Sequence, residues 1–469
     1  MLAKENLMRP YQRSLLGKQE AFMPVKVDPT HLMAVMNKNL DWDFMQSLGE
    51  RRRELIVTSN RGLKPHFRAL NGAVVVRTLE GSNFRKTEDL IRYYSPAREL
   101  CDLQNSEWTP DHVAIWEYEG MLGEEGLSEL TDYILRSAAS QGFADPRGLC
   151  ADTTAQEAYV PYPTEVGHMN SFMKSVRGNL STLLKKSKGL AGAAARKMGK
   201  LASEVAEKVR KQRLFDKTKE ARQKTNRVLL DLSQDLLGSL GDLLADIDVK
   251  KNQVRGSGKR ALNNLAQNFH HMCQMFPQIS QWVKKGSVAK NKIVSLFNVD
   301  FRAINRGKVG KKIEFGLKWG INQIRGGYVS VYMHSNMMCH DSNYAVLGVK
   351  EHIRIFGKPP RDFGFDRAAW SAEHKKEIRK LGVANLAIAP KGKARWDVGP
   401  RVKDRMVRER AQIEGKIGTM KRKGLNKSEA RLPNRVRMSA LKAGLCLNLK
   451  RFAKDLLTAQ MAMEVGTAI

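Results

Sequence analysis

Residues 148–160 read GLCADTTAQEAYV, and the alternation of Leu149, Ala151 and Thr153 between flanking turn residues predicts a strand that carries Asp152. Outward from it, residues 169–290 are rich in Lys, Leu, Ala and Gln. There Leu201, Val205 and Val209, then Leu232, Leu236, Leu240 and Leu244, recur at four-residue spacing, which predicts a helical insertion. Strand signals resume in GKKIEFGLKWGINQ (310–323) and GGYVSVYMHS (326–335). They continue through the approach to Asp366 and VANLAIAP (383–390), the last bounded by Gly382 and Pro390. Between them, NMMCHDSNYAVLGVKEHIRIFGKPP (336–360) reads as a helix leading into the strand before Asp366. The proline-free DRMVRERAQIEGKIGTMKRK (404–423) predicts a long helix carrying Glu414, with Val407, Ile413, Ile417 and Met420 near one face.

These pieces make an α/β protein: one mixed sheet with flanking helices, interrupted by a helical insertion and preceded by a mainly helical N-terminal domain. The expected boundaries are 1–145 for that first domain, 146–168 plus 291–469 for the sheet domain, and 169–290 for the insertion. The N-terminal part is read from KTEDLIRYYSPARELCDL (86–103), with helix-spaced apolar positions, and from 108–142, where Thr109 and Pro110 suit a cap and first-turn proline.

Charge narrows the function. The 469 residues carry 81 Lys and Arg against 48 Asp and Glu, a net +33, and so large an excess repels itself unless a polyanion relieves it. Nucleic acid is the expected polyanion. No run of about 18 apolar residues suggests a membrane span, the N-terminus lacks the apolar core of a secretion signal, and five scattered cysteines form no CxxC pair, so a cytoplasmic, nucleoid-associated protein is expected. Arg51, Arg52, Arg53, Arg61, Lys64 and Arg68 make residues 1–145 a candidate DNA-binding domain.

Two carboxylates on strands and a third on a helix, gathered over a sheet, suit hard divalent cations, which need oxygen ligands and can activate a nucleophile and a leaving oxygen in phosphodiester chemistry. Here Asp152, Asp366 and Glu414 resemble the metal-binding carboxylates of bacterial insertion-sequence transposases of the DDE type, a family with a ribonuclease-H-like catalytic fold. In that family an arginine precedes the third carboxylate by four residues and a lysine follows it by seven; Arg410, Glu414 and Lys421 reproduce both offsets. Asp152, Thr153 and Thr154 match the pattern of the opening strand, and Asp366 with Arg367 matches the second motif. Val407 stands where the family has tyrosine, and Ala368 where glycine is usual. Asp362 is the rival for the second carboxylate, and Asp366 fits the motif better.

The resemblance implies a ribonuclease-H-like fold, two Mg2+ or Mn2+ ions held by Asp152, Asp366 and Glu414, and cleavage and strand transfer on double-stranded DNA, at element ends and target. It also implies a homodimer or larger synaptic complex. Between Lys391 and Arg437 stand 16 basic against 5 acidic residues, an imbalance that predicts a phosphate track including Arg410, Lys421, Arg422, Lys423 and, near the second motif, Arg367. His270, His271 and Cys273, and His334, Cys339, His340 and Asp341, lack the spacing of a structural zinc site. Trp282 and Trp319 are expected to pack rather than stack on bases. A structure-selective nuclease and a non-catalytic DNA-binding relative are the alternatives.

Overall fold

The computed structural model describes residues 26–56, 65–186, 192–248, 254–305, 313–390, 395–428 and 430–466. The chain divides into two compact units, residues 1–157 with 318–469, and residues 158–317.

The first unit opens with helices α1 (Leu32–Asn39), α2 (Trp42–Ile56), α3 (Phe67–Glu80), α4 (Phe84–Tyr93), α5 (Ser95–Leu100) and α6 (His112–Ser140). The cap of α6 is Asp111, whose carboxylate accepts the Ala114 N–H, rather than the expected Thr109. Strand β1 (Asp145–Glu157) follows.

The second unit holds four long helices, α7 (Glu165–Lys186), α8 (Gly192–Phe215), α9 (Lys219–Asp248) and α10 (Gly256–Lys285), with strand β2 (Arg302–Asn305). Their shared core includes Phe172, Val176, Val205, Val209, Leu236, Leu240, Leu265 and Met272. The four-residue leucine repeat therefore marks a buried stripe only in part: Leu236 and Leu240 are in the core, while Leu232 and Leu244 flank it, because 3.6 residues per turn rotates a strict four-residue repeat off the seam.

Strand β3 (Ile313–Arg325) begins in the second unit, where residues 313–316 pair antiparallel with β2, and ends in the first, which continues through β4 (Val329–Tyr332), α11 (Asp341–Phe356), β5 (Asp362–Phe365), α12 (Ala372–Lys380), β6 (Asn385–Ile388), α13 (Pro400–Met420) and α14 (Pro433–Gly466). The sheet is mixed, in order β2-β3-β1-β5-β6, with β4 also paired to β3. β4 is antiparallel to β3 across a turn in which Gly326 and Gly327 take positive φ, a conformation that costs glycine nothing. β1, β5 and β6 run parallel, with Gly148, Leu149 and Cys150 opposite Asp362, Phe363 and Gly364.

Strand alternation sorts the helices onto two faces. Asn322 donates to the Gly348 carbonyl of α11, whereas its neighbour Gln323 donates to the Glu409 carbonyl of α13, so these helices cover opposite faces of the sheet. On α13 the buried residues are Met406, Ile413 and Met420, two turns apart. Val407, expected on that face, is 47% exposed, since one residue turns a helix by about 100°. Burying Met406 seats α13 on Cys150 of β1 and Ala387 of β6.

Candidate active site

The register of β1 and β5 decides which acidic residues meet. The pairing ends at Cys150 and Gly364, and the same offset carried two residues further brings Asp152, midway along β1, opposite Asp366, the residue just past the carboxyl end of β5. Alternation puts Asp152 on the face of Cys150 and Asp366 on the face of Gly364. A Cβ built on Gly364 would meet Met406 Cε at 3.1 Å, so this is the face covered by α13, which carries Arg410 and Glu414.

The two carboxyls feel each other. Burial, with the charges of Asp366 and Asp341, pushes Asp152 up to about 6, against the pull of the Thr153 N–H, 2.7 Å from its Oδ1, and of Arg410. Asp366 is also raised, first by burial and then by Asp341, and partly offset by the backbone N–H groups of Ala369 and Ala368 and by Arg410. Its Oδ1 is buried with no hydrogen-bond partner. The turn after it, Arg367–Ala369, is a short 3-10 helix with no positive φ at Ala368, so alanine fits where glycine was expected.

Asp362 does different work. Buried at the other end of β5, it accepts Arg405 at 2.5 Å, Arg325 at 3.2 Å and the Asn385 amide at 2.7 Å. Arg325 also holds Glu409 at 2.6 Å and Asp145 at 3.0 Å. This network ties β1, β3, β5, β6 and α13 together and leaves Asp362 no free role beside Asp152.

Glu414 lies one turn past Arg410, which bonds it at 3.2 Å, and its side chain is 64% exposed. Arg410 therefore spans the distance electrostatically, facing Asp152 and Asp366 with its charge while holding Glu414. Arg367 and Arg422 are exposed, Arg422 donating to Thr419 Oγ1; Lys421 and Lys423 are half-buried where α13 passes into a π-turn at Lys421–Leu425. Of the expected phosphate track, Lys391 and Lys393 lie outside the described residues. In the N-terminal helices Arg51 and Arg52 pair with Glu129 and Glu125, and Arg68 bonds Leu100 and Asn37 over the Trp42 ring; Arg61 and Lys64 lie outside the described residues.

One acid at this site was set aside in the sequence among improbable zinc ligands. Asp341, in the first turn of α11, accepts Thr153 Oγ1 at 3.1 Å and Lys318 Nζ at 2.7 Å, so Thr153 bridges it to the strand carrying Asp152. Its sequence signal was only a carboxylate after a capping histidine: His340 Nδ1 accepts the Ser342 N–H.

For a divalent ion the donors are of the right kind. Asp152 and Asp366 offer hard oxygens, Asp366 with an Oδ1 that has no hydrogen-bond partner and Asp152 raised to about 6 chiefly by burial. Among the described residues no group of three or more His, Cys, Asp or Glu side chains is gathered closely enough to hold a metal, in keeping with Glu414 lying outward. The two carboxylates are donors a hard cation accepts, while Glu414 points outward on α13, bonded to Arg410. Among the described residues no helix is long and apolar enough to cross a membrane. Comparison with known protein families, with curated proteins and with solved structures finds no match.

Proposed function

We propose that this chain is a DDE-type transposase with a ribonuclease-H-like catalytic domain, which cuts DNA at the ends of an insertion sequence and joins the exposed 3′-hydroxyl to target DNA. The observation that carries the reading is the parallel β1–β5 register, ending at Cys150 and Gly364 with Asp152 and Asp366 each two residues further along, on the face covered by the helix bearing Arg410 and Glu414. The mixed sheet, with its two acidic strands adjacent and parallel, supports the same fold.

Asp152 and Asp366, joined by Glu414, would hold two Mg2+ or Mn2+ ions, which supply charge neutralisation and lower the pKa of the attacking water or hydroxyl. The chain's own residues do the rest. Arg410 balances the acidic pair and, when Glu414 turns inward, is released toward the scissile phosphate. Lys421, Arg422, Lys423 and Arg367 hold flanking phosphates, which fix register without reading sequence. The active assembly is a homodimer or larger complex bridging two DNA ends.

One observation favours a second reading, a DNA-binding relative that does not cut: Glu414 is mostly in solvent and paired with Arg410.

The test is Mg2+-dependent cleavage and strand transfer on supercoiled plasmid carrying the element's ends and on unrelated plasmid. Joined products that need the ends and vanish in Asp152→Asn, Asp366→Asn and Glu414→Gln, with DNA binding kept within a few-fold, are expected. Cutting without joining makes the protein a nuclease, and binding without cutting makes it the non-catalytic relative.

A further inference from the structure

The second unit ends one of its helical hairpins in an unusual surface. Helix α8 stops at Phe215 and α9 starts at Lys219, and the tip between them is built as a fixed cap. The buried amides of Gln212 and Asn226 bond each other at 2.6 Å across the two helices. Asp216 accepts Thr225 Oγ1 at 2.6 Å, its carbonyl accepts Arg222 Nε at 2.9 Å, and Thr218 caps α9 by accepting the Ala221 N–H at 3.1 Å. These bonds hold Leu214 and Phe215 outward, 54% and 70% exposed, in place of letting them fold onto the bundle.

Around those two apolar side chains the surface is cationic. Arg210, Lys211, Lys217, Lys219, Arg222, Lys224 and Arg227 are all exposed, against Glu207, Asp216 and Glu220. Glu207 is already matched by Lys211 at 2.8 Å. Arg210 and Lys211 fall within the last two turns of α8, Lys217 in the connection, and the other four within the first three turns of α9, a span of about 15 Å along the helices. A DNA duplex presents one phosphate charge per ~1.7 Å of axis, so a patch this size meets several.

We propose that this hairpin tip is a second DNA-binding site, independent of the carboxylate site, in which the cations grip the backbone and Phe215 with Leu214 enters a base step and kinks the duplex. Apolar wedges flanked by basic residues act in this way, exchanging some base stacking for a bent DNA that wraps more protein. A membrane surface fits less well, because an interfacial helix needs a continuous apolar face and here two consecutive residues stand alone amid charge. The inference rests on the chain being a DNA-acting protein, though not on its cutting chemistry.

The experiment uses the full chain in EDTA, where no cutting occurs, with a short duplex labelled at both ends for energy transfer and titrated across salt. Wild type is expected to bind and bring the ends together. Leu214→Ala with Phe215→Ala is expected to bind within a few-fold and lose most of the rise in transfer. Lys217→Ala, Lys219→Ala and Lys224→Ala together are expected to reduce the slope of log affinity against log salt by about three. All five positions are exposed, so unchanged helical circular dichroism and melting temperature check the fold. Unchanged bending and slope in both variants overturn the proposal and leave the transposase reading intact. Failure of wild type to bind any duplex overturns both. Phe215-dependent binding to phosphatidylserine vesicles with Phe215-independent DNA bending overturns the wedge.

Discussion

Asp152 is the residue whose chemistry is most exposed to measurement. Its carboxyl sits at about 6 in the fold against an ordinary 3.8, so the folded chain binds that proton more tightly than the unfolded one. For an acid shifted upward the sign is unfavourable: the penalty is absent below about pH 4, grows as pH rises, and is complete above about 6. Two units correspond to at most about 3 kcal/mol. In EDTA at pH 7.5, Asp152→Asn is therefore expected to melt higher than wild type, and at pH 4 the two should converge. Adding Mg2+ should raise the wild-type melting temperature and leave the variant unmoved. A variant that melts lower at pH 7.5, or responds equally to Mg2+, would contradict a cation-binding role for this buried pair.

Among the elements, β5 separates two aspartates four residues apart into unlike tasks. Asp362 anchors the strand to β6 and α13 through Asn385 and Arg405, so Asp362→Ala removes the carboxylate partner of Arg405 and one of the three partners of Arg325, and is expected to cost about 3 kcal/mol in denaturant unfolding. Asp366→Asn should cost nothing comparable, which distinguishes anchor from ligand. Much of this was legible beforehand. The strands around Asp152, Phe315, Val331, Phe363 and Leu386 and the helix of Glu414 announce themselves by alternation, turn residues and periodicity. What stayed hidden depends on partners far away in sequence. Asp341 gains its meaning from Thr153, 188 residues earlier, and Val407 and Met406 differ by one turn angle that no spacing rule resolves. α14 lacks a marked polar face, so it offers no periodic signal.

For the whole molecule, the +33 charge and the two compact units set the expectations. Residues 158–317 bury their own core, including Phe172, Leu236, Leu265 and Met272, and Lys292 is paired with Glu165 inside it. Expressed alone, this segment is expected to melt cooperatively with a strongly helical spectrum; a broad, non-cooperative transition would show that the core needs the remainder of the chain. The excess positive charge is distributed over both units.

The β1–β5 register also fixes a schedule. Asp152 leaves the ribosome more than two hundred residues before Asp366, and β5 does not exist until residue 365 has been made. A chain halted just short of that point has Asp152 with β3 and Asp341 beside it and lacks Asp366. Truncated products therefore lack the opposed carboxyl pair, which is among the last features of the fold completed as the chain is synthesised.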